Sequence, residues 1–202
     1  MAETAAPPMT RRSALAALAI APRADADAGV TLAEIPHTAK LNLRGDPTDR
    51  GFMTAVGKAL DMVLPTEPNT ATASGGVTAL WLGPDEWLLT AAPGEESALA
   101  AKLREALSGV HAAVIDVTEN STVLRLSGPR AGDVLAKGCP LDLHPSAFAP
   151  GRAAQSLIGP VDATIHQTAP GVYEIYVRRS FAEYLWRWLE DAGAEYGVAV
   201  AF

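Results

Sequence analysis

Four histidines, one cysteine and a scatter of carboxylates are the side chains in this sequence best able to do chemistry. His37, His111, His144 and His166 include no pair at the i, i+4 spacing that sets two imidazoles on one helix face, and none stands beside the cysteine. Ordinary loop and strand-end histidines are therefore expected rather than a metal site. Cys139 follows Lys137 and Gly138 at the expected C-terminal, negative end of a helix, which disfavours a thiolate. A buried structural thiol is expected there. A single cysteine also excludes an internal disulfide and a cysteine-built zinc site. Ser127 lies in Leu126-Ser127-Gly128-Pro129, without the flanking glycines of a hydrolase elbow. Asn120-Ser121-Thr122 fits a glycosylation acceptor that nothing else in the sequence supports. The adjacent acids Asp85-Glu86 and Glu190-Asp191 read as water-facing turn and helix residues. No glycine-rich loop joins a strand to a helix, so no phosphate cradle is expected. The expectation is a chain with no catalytic, cofactor-binding or metal-binding residues.

Composition narrows the partners. Of 202 residues, 49% are apolar and 19% charged, which is ordinary for a globular chain. Sixteen Lys and Arg stand against 23 Asp and Glu, and a net charge of −7 argues against a nucleic-acid-binding surface. No apolar stretch reaches the length of a membrane span.

The elements come as strand pairs with helices between them. Residues 30–35 and 39–44 alternate as strands around a Pro36-His37 turn, and Asp46 and Pro47 open a helix with Phe52, Val56, Ala59, Leu60 and Val63 on one face. Residues 65–76 read as a loop. Residues 77–82 and 86–90 form a hairpin across Gly83-Pro84-Asp85, with Trp81 and Trp87 in its core. A helix over 95–107 follows, then strands 112–118 and 122–127 as a second hairpin, then a helix from Gly128-Pro129 to Gly138. Strands at 153–158, 161–166 and 172–177 precede a last helix, 180–192. This pattern predicts an α+β fold of antiparallel sheets with helices packed on them.

Two places could meet a partner. In the last helix Phe181, Tyr184, Leu185, Trp188 and Leu189 form one apolar arc, and Trp186 falls about 120° from its centre at 100° per residue. Trp186 is thus either laid over the helix flank or an anchor in a subunit contact. As an anchor, Trp186→Ala would weaken assembly, and Trp188→Ala would damage the fold. The second place is the N-terminal segment, residues 1–28. Arg11-Arg12 followed by Ala-rich sequence has the parts of a secretory signal, but only Leu15, Leu18 and Ile20 are strongly apolar. An Ala-rich terminal helix with a mobile linker is the favoured reading, without cleavage after Ala26 or Ala28. Leu15 and Leu18, three apart, would share a helix face and could dock on a partner.

Several blocks of sequence resemble a known family. They are Leu82-Gly83-Pro84-Asp85-Glu86-Trp87-Leu88-Leu89, Thr122-Val123-Leu124-Arg125-Leu126-Ser127-Gly128-Pro129, Lys137-Gly138-Cys139-Pro140-Leu141-Asp142-Leu143-His144-Pro145 and Tyr176-Val177-Arg178-Arg179-Ser180-Phe181. Lys40-Leu41-Asn42-Leu43-Arg44-Gly45-Asp46-Pro47 and Leu64-Pro65-Thr66-Glu67-Pro68-Asn69-Thr70 extend the match upstream. Together they resemble the gamma subunit of bacterial heterotetrameric sarcosine oxidase over residues 29–202, leaving 1–28 unexplained. The resemblance implies a fold similar to the folate-binding domain of the glycine-cleavage T-protein. It also implies alpha, beta and delta partner subunits and residence in the cytoplasm. The assembled enzyme would oxidise sarcosine to glycine with FMN, FAD and NAD, and pass the one-carbon unit to tetrahydrofolate; those cofactors would belong to the large subunits.

Folate-processing members of this superfamily carry an acidic pterin-contacting motif, and no clear equivalent is seen here. Lys137-Gly138-Cys139 is also similar to the folate-binding iron–sulfur-repair relatives. There an aromatic and a Gly-Gln pair follow the cysteine, whereas Pro140-Leu141-Asp142-Leu143 follows here, so that function is not carried over. The alternative to a structural subunit is a stand-alone folate-dependent one-carbon transferase or folate-binding protein. That reading would require a deep central cavity with a carboxylate aimed into it.

Overall fold

A computed structural model describes residues 11–201. Among the described residues eleven strands form two sheets, each covered by helices on one face. The six-stranded sheet has the order β11-β1-β7-β10-β9-β8. It is built from β1 (Val30–Ile35), β7 (Ser121–Ser127), β8 (Ala153–Ile158), β9 (Val161–Ala169), β10 (Val172–Arg178) and β11 (Val198–Ala201). The five-stranded sheet runs β3-β4-β5-β2-β6, from β2 (Ala39–Gly45), β3 (Ala71–Ser74), β4 (Val77–Gly83), β5 (Glu86–Ala91) and β6 (Ala112–Asp116). All pairings are antiparallel except that of β1 with β11. The α+β expectation therefore holds.

Three apolar clusters define the layers. α3 (Ala131–Ala136) and α4 (Arg179–Gly193) cover the six-stranded sheet around Leu32, Leu124, Val134, Ile165 and Leu185. α1 (Arg50–Leu60) and α2 (Glu96–Ala106) cover the five-stranded sheet around Leu41, Phe52, Val56, Trp87 and Leu103. The other faces of the two sheets meet through Leu80, Leu88, Val123, Ala153 and Tyr176. The helices thus lie on the two outer sides of a sheet-on-sheet stack.

Local sequence explains most element ends. Asp49 caps α1, its carboxylate accepting from the Gly51 N–H at 2.7 Å, and Asp61 stops the helix in the left-handed region at φ 52°. Asp46, the expected cap, instead folds an Asx turn onto Thr48, 2.8 Å from its N–H. Val63 lies beyond the Asp61 stop and is exposed, not on the core face. Trp87 is fully buried, stacks near Phe52 with ring centroids 5.7 Å apart, and donates from Nε1 to the Pro65 carbonyl at 2.7 Å.

Other local readings are corrected by long-range pairing. Strands 112–116 and 121–127 are not a hairpin: β6 pairs with β2, and β7 pairs with β1 and β10. The 3-10 turn Thr118–Asn120 carries the chain from one sheet to the other. The Pro36-His37 turn is likewise a crossover between sheets. Part of the expected 65–76 loop is the short edge strand β3, and β11 has no counterpart among the expected elements. Among the described residues no helix is long and apolar enough to cross a membrane.

Candidate functional site

α4 is the element on which the sequence places its partner contact, and its buried side is not the expected one. Ala182, Leu185, Trp186, Leu189, Ala192 and Gly193 face the six-stranded sheet. Trp186 is 1% exposed, so it cannot serve as a surface anchor. Phe181 and Tyr184, expected in the core, are 44% and 46% exposed, and Trp188 is half-buried. The buried arc is rotated by roughly 70° from the expected one, at 100° per residue.

The chain's own N-terminal segment covers Trp186. Residues 16–18 form only a single 3-10 turn rather than an Ala-rich helix, and Leu15 inserts into the core beneath it at 3% exposure. Ala14, Leu18 and Ile20 pack on the same cluster as Trp186. Further along, Arg23 and Val200 exchange both main-chain hydrogen bonds, at 3.0 and 2.8 Å, so the segment also shields the open edge of β11. The Arg23 guanidinium reaches the Val198 carbonyl and Glu190. Leu15 is therefore held by the domain itself, and Leu18 packs on its core while keeping part of its surface exposed. Residues 1–10 of that segment lie outside the described residues.

The start of the segment is pinned over a charged junction between the sheets. Arg11 pairs with Glu119 and Glu96, Arg179 pairs with Glu119 and bonds the Arg12 carbonyl, and Glu34 accepts from the Ala14 N–H and the Thr122 hydroxyl. The hydrogen bond from Arg11 holds the Glu119 carboxyl below its usual range. Beneath lies Lys40 on β2, with no solvent-exposed surface and its Nζ donating to the Thr38 carbonyl at 2.7 Å. Burial pulls its amine down from 10.5 to about 8.

On the open side of α4, Phe181, Tyr184 and Trp188 stand at i, i+3 and i+7 in one aromatic stripe. A Cβ built at Gly159 would sit 3.6 Å from the Trp188 Nε1 and 3.9 Å from the Tyr184 hydroxyl. The tight β8–β9 turn thus continues the aromatic patch, while a Cβ at Gly138 would come within 2.5 Å of the Trp188 ring. Glu183 and Arg187 pair with each other at 3.0 Å along its border.

The remaining candidates are spread through the fold. Cys139 is buried, with its Sγ 3.7 Å from the Ser156 hydroxyl. His144 bonds Ser146, and His166 is buried on β9 with its pKa lowered by burial. Asp85 and Glu86 both pair with Arg44. Among the described residues no group of three or more His, Cys, Asp or Glu gathers at metal-binding distance. At the seam between the sheets two carboxylates, Glu174 and Glu86, are already engaged. Glu174 meets Arg125 at 2.7 Å and accepts from the Tyr176 hydroxyl at 3.0 Å, and Glu86 accepts from Asn42 at 2.7 Å.

A family model described as sarcosine oxidase, gamma subunit family, matches residues 44–195. This chain belongs to that family. The gamma subunit of sarcosine oxidase from Corynebacterium sp. strain U-96 is 38% identical, over 94% of this chain and 93% of that protein. One chain of the heterotetrameric sarcosine oxidase structure from Corynebacterium sp. U-96 superposes with a TM-score of 0.85 at 36% identity. The match covers 95% of this chain and 99% of that one. The glycine cleavage aminomethyltransferase T of Bartonella henselae shares the fold, with a TM-score of 0.65 at 22% identity over 86% of this chain and 48% of that one. The gamma subunit family thus has an aminomethyltransferase-like fold, as the sequence blocks imply.

Proposed function

We propose that this chain is the non-catalytic small subunit of a heterotetrameric sarcosine oxidase. It would support the complex that oxidatively demethylates sarcosine to glycine with tetrahydrofolate as one-carbon acceptor. The observation that carries this reading is the likeness, along nearly its whole length, to one complete chain of a heterotetrameric relative. The proposal includes alpha, beta and delta partners that hold the FAD, FMN, NAD and tetrahydrofolate, and a cytoplasmic complex.

The seam between the sheets supports a subunit over a stand-alone folate enzyme. Leu80, Leu88, Val123, Ala153 and Tyr176 fill its centre, and the carboxylates Glu174 and Glu86 are taken by Arg125, Tyr176, Asn42 and Arg44. Neither Glu174 nor Glu86 is free to take the part of a pterin-contacting carboxylate. The stripe of exposed Phe181 and Tyr184 with half-buried Trp188 supplies a contact of the aromatic kind enriched at subunit interfaces.

Co-expression with the three other subunits tests the proposal. One stable complex that oxidises sarcosine, and loses yield or activity without this chain, is the expected result. Full assembly and activity without it would overturn the proposal. Tight tetrahydrofolate binding by the chain alone, measured by calorimetry, would favour the folate-enzyme reading instead.

A further inference from the structure

The opposite side of the molecule carries a second surface whose charge is out of keeping with the rest. α1 and α2 lie side by side on the five-stranded sheet, and a groove runs between them. Ala55, Ala59 and Ala106 give it a shallow apolar wall, and Arg50, Lys58 and Lys102 border it. α1 contains no acidic residue, and Glu105 is the only carboxylate on the groove. The chain as a whole carries −7, so a local excess of cations runs against its balance. Nine of the sixteen Lys and Arg residues form ion pairs, but among the described residues Arg50, Lys58 and Lys102 have no carboxylate within 4.0 Å.

Building on the subunit reading above, we propose that the α1–α2 groove docks an acidic segment of a large partner subunit, whose carboxylates complete the three unpaired cations. Charge and shape select this occupant. A second copy of the chain brings another −7 and is repelled at long range. An anionic bilayer repels the chain in the same way, and a flat surface does not fill a groove between two helices. A helix or extended segment with an apolar edge and flanking Asp or Glu fits both the wall and its border. The stripe on α4 and this groove face away from each other across the two sheets, so the chain would touch its partners at two separate places.

The test is binding of the full-length chain to its assembled large subunits, at salt concentrations from about 0.05 to about 0.5 M. The wild-type affinity is expected to fall as salt rises. The triple variant Arg50→Glu, Lys58→Glu, Lys102→Glu should bind at least about tenfold more weakly at low salt and lose most of that salt dependence. Lys58→Gln and Lys102→Gln, which disturb the helices least, should each weaken binding about threefold. Melting temperatures of all variants confirm that the helices stay folded. Unchanged affinity and salt dependence in the folded variants would overturn the groove assignment while leaving the subunit proposal intact. Failure of the wild-type chain to bind the large subunits at all would overturn both. Self-association of the wild-type chain that the triple variant abolishes would assign the groove to a second copy and overturn the acidic partner.

Discussion

Trp186 and Trp188 lie two residues apart on one helix, yet one is sealed and the other is half-open. The side of α4 around Trp186 has a cover built from the chain itself: Leu15 below, Leu18 and Ile20 beside, and the Arg23–Val200 bridge beyond. The side around Trp188 is backed by Gly138 and the Gly159 turn, and its aromatic stripe runs out into solvent at Tyr184 and Phe181. One side is therefore part of the fold, and the other is available for assembly. The difference is not in the residue type, since a tryptophan stands on each side. It lies in whether the N-terminal segment reaches that side.

Substitutions can break this contrast, and the largest effect belongs to the sealed side. Trp186→Ala should cost the fold about 3–5 kcal/mol in denaturant unfolding, as expected for a fully buried tryptophan. Trp188→Ala should cost no more than about half of that, because the ring is already partly solvated. Equal losses for the two would end the distinction. Leu15→Ala should cost about 2–3 kcal/mol, the lower part of the Leu→Ala range, since a site under a surface segment can partly collapse. It should also raise the solvent accessibility of Trp186, read by acrylamide quenching in a chain whose other tryptophans are replaced by phenylalanine.

On the open side the balance reverses. Phe181→Ala and Tyr184→Ala should each change the stability of the isolated chain by less than about 0.5 kcal/mol. Each should weaken assembly with the large subunits by more than about 1 kcal/mol, measured by titration against them. Normal assembly by the double variant would remove the stripe from the interface.

The smallest expected effect concerns the junction that pins the start of the segment. The Lys40 amine sits near 8 in the folded chain against 10.5 for an ordinary lysine. Between those values the unfolded chain binds more protons than the folded one, so stability from this group falls as pH drops from about 10.5 to about 8. Below about 8 both states are charged and the full burial penalty is present. Lys40→Met should therefore be more stable than the wild type by about 1 kcal/mol at neutral pH. That advantage should fade as pH rises toward 10.5. An advantage independent of pH would show that packing, not charge, sets the difference.

The chemistry of local residues made much of this protein legible in its sequence. Apolar periodicity gave α2 and α4 nearly to their ends and the core face of α1 over a shorter span than expected, and the Gly83-Pro84-Asp85 turn gave the β4–β5 hairpin. The family blocks fall largely on ordered strands and turns, and through family membership they carried the fold. The candidate surface was less legible. A helix with eight apolar or aromatic residues among fifteen has an apolar arc wide enough to be turned by roughly 70° without contradiction.

Only the tertiary structure decided which part of that arc is buried, because the cover comes from residues more than 160 positions earlier in the chain. The same distance hid the fate of Leu15 and Leu18, whose spacing is equally suited to a partner or to the chain's own core. Strands 112–116 and 121–127 show the principle again. Alternation identified each as a strand, but a strand's partner is chosen by the whole set of edges the fold offers, and these two joined different sheets. Sequence by itself determined which segments are amphipathic. The tertiary structure alone determined what each apolar face meets, since burial depends on which distant surface the complete fold packs against it.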